Sequence, residues 1–130
     1  MKHVFIKKSH VSHLMDGKEY ESKSYIKHDF MHLAYLKVMK NNEGFFASKT
    51  NPMREESIIG ALQGGAQRLK EEGGINYDEL LNGINMMLEI NGFEKIKLPE
   101  ENMRDIYKEY GALISHWDHM KTGEEFVIEA

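Results

Sequence analysis

The sequence predicts an α+β fold: an N-terminal β-hairpin, three to four helices and a C-terminal strand that pairs with the hairpin, in a single domain of residues 1–130. Three observations predict it. The N-terminal region alternates loosely between apolar and polar side chains, as a strand with one solvated face does. The middle of the chain has apolar residues spaced three and four apart, which is typical of amphipathic helices. The chain closes with EEFVIEA, which is typical of a short strand.

The N-terminal hairpin is predicted from the segment between His3 and Ile26. It contains Asp16 followed by Gly17, a pair that is typical of a tight hairpin turn, so two strands joined by that turn are expected. A short C-terminal strand needs a partner, and the hairpin is the one available. We therefore expect a small sheet beside the helices.

The first two helices differ in the regularity of their patterns. The first is expected to begin just before Lys27 and to run to about Lys40, because an Asn- and Gly-rich cluster ending at Gly44 follows. The second has an apolar face that continues past Gly64 and Gly65. A kink, the approach of a ligand and a close helix crossing all explain paired glycines, and the crossing is the interpretation we favour.

The third and fourth helices have clearer signals. The third is predicted to begin near Tyr77, after a pair of glycines. The fourth begins at Pro99, a residue favoured at helix starts, and ends before Thr122 and Gly123. It has the most regular periodicity in the chain, with apolar side chains at Met103, Ile106, Tyr107, Tyr110, Leu113, Ile114 and Trp117.

Composition narrows the function classes. The 17 basic and 21 acidic residues give a net charge of −4, which argues against binding to nucleic acid. No apolar run has the length of a signal peptide or a membrane span, so we expect a cytoplasmic protein without membrane contact. The chain has no cysteine, which excludes disulfides, thiolate nucleophiles and cysteine metal ligands. Any bound metal would need histidine and carboxylate ligands.

One short stretch, HDFMH at residues 28–32, carries a candidate metal site. Its histidines, His28 and His32, are four residues apart and therefore share a face of the first helix. Neutral imidazoles at this spacing bind zinc in HExxH metalloproteases, although here Asp29 takes the place of the glutamate. We expect His28, His32 and Asp29 to bind a divalent metal such as zinc, or a small polar ligand. His116, at the edge of the apolar stripe of the fourth helix, is a further candidate ligand.

Another interpretation remains open, in which the histidines bind no ligand. The first helix is apolar on almost every side, so its histidines can be packed, hydrogen-bonded groups without a ligand. The protein would then be a partner-binding or oligomerising module. An apolar surface for that role would draw on the aromatic residues Phe45, Phe46, Tyr107, Tyr110 and Trp117. The sequence has no nucleophile elbow, P-loop or dinucleotide fingerprint, and it leaves open whether the protein is an enzyme.

Two stretches of the chain resemble a known group of proteins. KHDFMHLAYLK followed by GFF at residues 44–46 resembles a group of small bacterial proteins without an assigned activity. In that group a PHDLxHFxVE-like stretch precedes a GFWG-like loop. Lys27, Leu33 and Leu36 stand where the group has proline, phenylalanine and glutamate. The C-terminal stretch from Trp117 through Thr122 and Gly123 to FVIE is also similar. The resemblance supports the fold and marks the HDxxH positions, and it implies no reaction.

Overall fold

The computed structural model describes residues 2–7, 11–15, 18–22, 26–39 and 52–129, and it confirms the α+β class. The strands are β1 (Lys2–Lys7), β2 (Val11–Met15), β3 (Lys18–Ser22) and β4 (Glu125–Glu129). The helices are α1 (Ile26–Met39), α2 (Pro52–Glu72), α3 (Tyr77–Ile90) and α4 (Glu100–His119). None of the helices in these ranges has the length and apolar character to span a membrane.

The sheet is antiparallel, with strand order β3-β2-β1-β4. The N-terminal region therefore forms three strands, one more than the predicted hairpin. β1 ends at Lys7 and β2 begins at Val11, and this division was missed because no Gly or Pro occurs between these two residues. The predicted turn residues Asp16 and Gly17 lie outside the described residues. The flanking strands β2 and β3 pair with each other, with Met15 opposite Lys18.

The C-terminal strand adds to the N-terminal strands, as predicted, by pairing with β1. Phe5 lies opposite Phe126 in this pairing, and its ring is fully buried. It packs edge-on against Phe30 of α1, with ring centroids 5.0 Å apart, and Phe30 packs in the same way against Trp117 of α4 at 5.9 Å. One face of the sheet is therefore covered by α1 and α4.

Local signals explain where the later helices begin and end. The side chain of Asn76 caps α3 by accepting a hydrogen bond from the Glu79 amide at 3.1 Å. Gly92 ends α3 with a φ of +77°, a conformation that glycine adopts without strain. Helix α4 follows Pro99, and the turn after it places the Gly123 amide 2.6 Å from the Lys7 carbonyl. This turn directs the chain into β4 beside β1.

The paired glycines of α2 have different surroundings. A Cβ atom added at Gly65 would overlap the Tyr107 hydroxyl of α4 and lie 3.3 Å from a methyl of Leu80. The same hydroxyl donates a hydrogen bond to the Leu62 carbonyl at 2.8 Å. Gly65 therefore makes room for the Tyr107 side chain, whereas the close helix crossing favoured from the sequence stays a prediction. At Gly64 an added Cβ would meet nothing within 4 Å.

We predict that Gly65→Ala lowers the free energy of unfolding by about 1–3 kcal/mol, because the new methyl overpacks this site and displaces the Tyr107 hydroxyl. Gly64→Ala is the matched control, since its methyl points into open space and raises helix propensity by about 0.5–1 kcal/mol. Denaturant unfolding of both variants measures the difference. Equal stability for the two variants would contradict tight packing of Tyr107 against Gly65.

Candidate metal site

Helices α1 and α2 run antiparallel where they face each other. His28, near the start of α1, contacts Gln63 of α2, whereas His32, one turn later, contacts Glu56, which is seven residues before Gln63. Residues seven apart lie on the same face of a helix, so Glu56 and Gln63 both point towards α1. The buried side chains of Ile59 and Leu62 fix α2 against the core at the same level.

The three candidate ligand groups converge on a small volume. The Nε2 atoms of His28 and His32 are 3.1 Å apart. The carboxylate of Glu56 contacts both of them, at 2.9 Å from His28 and 2.6 Å from His32. One ligand atom from each residue lies within 4.8 Å of the others, so His28, His32 and Glu56 are close enough to hold a metal ion.

The other ring nitrogens have partners outside this volume. The Nδ1 atom of His28 lies 2.6 Å from the Gln63 side-chain oxygen, which can only accept a hydrogen bond, so Nδ1 carries the proton. The Nδ1 atom of His32 faces a carboxylate oxygen of Glu55 at 3.6 Å. Glu56 is likewise an acceptor, so without a metal its contacts favour protons on the Nε2 atoms as well. With the protons on Nδ1 alone, the Nε2 lone pairs would point towards Glu56 and towards each other, into a space that a cation could fill.

Such a cluster of lone pairs and negative charge attracts a cation or protons. Burial lowers the pKa of His32, but its contact with Glu55 and the charge and hydrogen bond of Glu56 outweigh burial and raise that pKa. Burial raises the pKa of Glu56, but the charges and hydrogen bonds of His32 and His28 outweigh it and lower that pKa. Without a metal, His32 therefore takes up a proton more readily than an isolated imidazole does.

The start of α2 is held in place by the segment that precedes α4. Arg54 donates hydrogen bonds to the carbonyls of Glu94, at 3.0 Å, and Lys95, at 3.1 Å. This anchor fixes the turn that presents Glu55 and Glu56 to His32. The Glu55 side chain is only 17% exposed, whereas that of Glu56 is 55% exposed. Glu56 is thus the candidate ligand whose side chain has room to move.

The spacing of the ligand atoms fits a divalent ion. Ligand atoms about 2.0–2.2 Å from a tetrahedral zinc ion lie roughly 3.3–3.6 Å apart, by simple geometry. The two imidazole nitrogens, at 3.1 Å, are within a few tenths of an ångström of that range. The carboxylate oxygens of Glu56 are closer and would retreat by roughly half an ångström or more to admit the ion. Rotation of the exposed Glu56 side chain allows this movement.

The structure brings together only some of the site residues that the sequence predicted. His28 and His32 lie together, but Asp29, although half-buried on α1, is not part of the group of three candidate ligands. His116 is exposed, and its ring stacks on Phe126 at 3.9 Å. Of the chain's other histidines, His119 is exposed and its Nδ1 lies 2.7 Å from the Ser115 carbonyl.

Part of the alternative interpretation falls outside the described residues, because Phe45 and Phe46 lie between α1 and α2 in residues 40–51. The other three aromatic residues proposed for an apolar surface contribute to the core instead. Trp117 is 8% exposed, and Tyr107 and Tyr110 are half-buried and pack against the core. These three residues therefore give no support to an exposed aromatic surface.

Sequence reasoning missed the groups that α2 supplies. Glu55 and Glu56 read as ordinary acidic residues near a helix N-terminus, where they suit the helix dipole. Gln63 precedes the paired glycines, and this stretch was interpreted as a helix-packing feature and not as part of a site. The available signal was the seven-residue spacing of Glu56 and Gln63, but it becomes informative only when α1 is known to lie antiparallel to that face.

Comparison of the chain with known protein families, with curated proteins and with solved structures found no match. The resemblance carried by HDFMH and GFF therefore stays a prediction. Any assignment of function has to start from the residues of the site itself.

We predict that Glu56→Gln destabilises the metal-free protein more at pH 5.5 than at pH 8.5. The raised pKa of His32 stabilises the fold below the usual histidine pKa of 6.5, and this contribution is lost as pH rises through the folded-state value. The lowered pKa of Glu56 stabilises the fold above the usual glutamate pKa of 4.5, and this contribution is lost as pH falls through the folded-state value. Both groups are charged between pH 4.5 and pH 6.5, so the ion pair that Glu56→Gln removes is present at pH 5.5.

The expected difference is a few tenths to about 1 kcal/mol, since Glu56 is largely exposed and solvent screens the pair. Denaturant unfolding in the presence of a chelator measures it at both pH values. Glu100→Gln is the control, because Glu100 pairs with Arg104, which stays charged throughout this range. A Glu56→Gln effect that does not change with pH would contradict the coupling of His32 and Glu56.

Proposed function

We propose that the protein binds a divalent metal ion, with zinc as the reference case, through His28 Nε2, His32 Nε2 and the carboxylate of Glu56. The observation that carries the proposal is the convergence of two imidazole nitrogens and one carboxylate while both Nδ1 atoms contact outer acceptors. Histidines that bind metals usually donate their second N–H to such an acceptor, which fixes the tautomer and the ring orientation.

The chemistry of the donors supports this choice. Two imidazoles and one carboxylate form a ligand set used by zinc hydrolases and, with open positions, by iron enzymes. A divalent ion would offset the negative charge of Glu56 and replace the protons that the metal-free site attracts. Three protein ligands would leave a position for water, whose pKa a bound ion lowers towards about 7. Hydrolysis is the reaction type to be tested first.

The proposal also includes a bacterial origin for the protein. The resemblance of KHDFMHLAYLK and GFF to a group of small bacterial proteins supports a bacterial origin. Within that resemblance, the histidines of HDxxH stand at the shared positions, whereas the group's later glutamate is replaced by Leu36. We infer that Glu56, from the next helix, supplies the carboxylate that Leu36 does not.

We predict that the purified protein binds zinc with a stoichiometry near one, and that His28→Ala, His32→Ala and Glu56→Gln each weaken binding. The loss should exceed the roughly 10–100-fold typical of removing an outer partner, because each change removes a direct ligand. Elemental analysis and calorimetric titration measure stoichiometry and affinity. Circular dichroism establishes that each variant is folded.

His119→Ala is the matched control, since this histidine is exposed and lies outside the group of three ligands. Its affinity for zinc should equal that of the parent protein. Loss of His32 without loss of bound metal would overturn the proposal, as would a folded parent protein that takes up no divalent metal when titrated.

A second prediction concerns the outer partner of His28. Gln63→Leu should weaken zinc binding by about 10–100-fold while preserving the stoichiometry, because His28 loses the acceptor that orients it. Gln67→Leu, one turn later on α2, is the control, since its amide bonds Glu71 rather than a histidine. Equal zinc affinities for the two variants would show that Gln63 does not position the ligand.

A further inference from the structure

An open cleft lies beside the candidate metal site. It has a volume of about 1060 Å³, comparable to the larger small-molecule sites of proteins, and it is bordered by the start of α1 and by facing stretches of α2 and α4. Gln63 belongs to its wall and also bonds His28, so the cleft and the candidate metal site share this side chain.

The lining of the cleft combines separate charges with an apolar strip. Lys27 and Lys70 are exposed on its wall, and neither makes an ion pair with a described residue. Asp118 on α4 is likewise without an ion-pair partner among the described residues. Glu71, the other carboxylate of the wall, accepts a hydrogen bond from Gln67 at 3.1 Å. That donor is a neutral amide, so Glu71 keeps its charge, and the cleft offers two cationic and two anionic groups to a ligand.

The remaining lining suits a chain with amide groups. Ala66, Tyr110 and Ile114 provide the apolar strip, and all three are half-buried. Gln63 and Ser115 add groups that can donate or accept hydrogen bonds. From Gln63 to Lys70 the cleft follows seven residues of α2, or roughly 10 Å at 1.5 Å per residue. An extended chain of about three amino acids spans that distance.

We propose that this cleft binds short zwitterionic peptides that carry an apolar side chain. The free carboxylate of the peptide pairs with one of the two lysines, its free amine pairs with Asp118, and its side chain covers the strip formed by Ala66, Tyr110 and Ile114. This inference goes beyond metal binding, since none of these contacts involves His32 or Glu56. It applies to the metal-free protein and can fail or succeed separately from the proposed function.

The test uses the tripeptide Ala-Leu-Ala and the full-length protein with chelator present. Binding is followed by NMR through the methyl groups of Ala66 and Ile114, with the buried methyls of Ile84 on α3 as an internal reference. The expected result is saturable shifts at Ala66 and Ile114 only. N-acetylation or C-terminal amidation should each weaken binding by up to about fivefold, the range of an exposed ion pair.

Matched variants then assign the site. Gly64→Leu should abolish binding, because Gly64 lines the cleft, a Cβ added there has open space around it, and the larger side chain would occupy the ligand's volume. Gly60→Leu, one turn earlier on α2, has the same open surroundings but lies outside the cleft, and it should bind normally. Gly111→Leu, on the α4 wall, replaces Gly64→Leu if that variant does not fold.

Charge variants test which ends of the peptide are recognised. Asp118→Asn should remove the preference for a free amine while keeping the preference for a free carboxylate. Three results would overturn the proposal: no shifts at Ala66 and Ile114 up to the solubility limit of the peptide, equal binding by the Gly64→Leu and Gly60→Leu variants, or equal binding of the free, acetylated and amidated peptides.

Discussion

The burial of α1 is the constraint on which the rest of the structure depends. Phe30 faces the sheet and α4, and the side chains of Met31, Leu33 and Tyr35 are buried as well. A helix that is apolar on most sides must lie within the protein, and any polar group on it must then find a partner nearby. Its histidines meet this requirement on one side only, where α2 supplies two glutamates and a glutamine. The packing of α1 in the core therefore also determines which polar side chains surround its histidines.

The directions of the ring nitrogens distinguish this site from ordinary packed histidines. A buried imidazole is satisfied when each nitrogen has its own partner. Here the Nδ1 atoms have separate partners, Gln63 and Glu55, but the two Nε2 atoms approach each other to 3.1 Å and share Glu56. Two acceptor lone pairs at this distance repel unless a cation or shared protons lie between them. The geometry thus favours added positive charge, as a proton or as a cation.

Much of the fold could be predicted from local patterns, and much of the site could not. The helix starts near Tyr77 and Pro99 follow from capping and proline preferences, which are local, and HDFMH identified two of the three metal-binding candidates. Glu56 is 24 residues from His32, and their proximity results from the antiparallel packing of two helices. The break before β2 was missed for a related reason, since a strand boundary without Gly or Pro is set by pairing with its neighbours.

The pairing of β1 with β4 also affects how the chain reaches this structure. Lys2 lies opposite Glu129, so the first and last strands described meet only after all four helices have left the ribosome. Contacts between residues so distant in sequence slow folding, and until they form β1 presents an unpaired edge to neighbouring molecules. Lysines at both ends of β1 oppose pairing with a second nascent chain during this interval. One of them, Lys7, later donates a hydrogen bond to the Trp117 carbonyl, so the same charge protects the strand during synthesis and joins it to α4 afterwards.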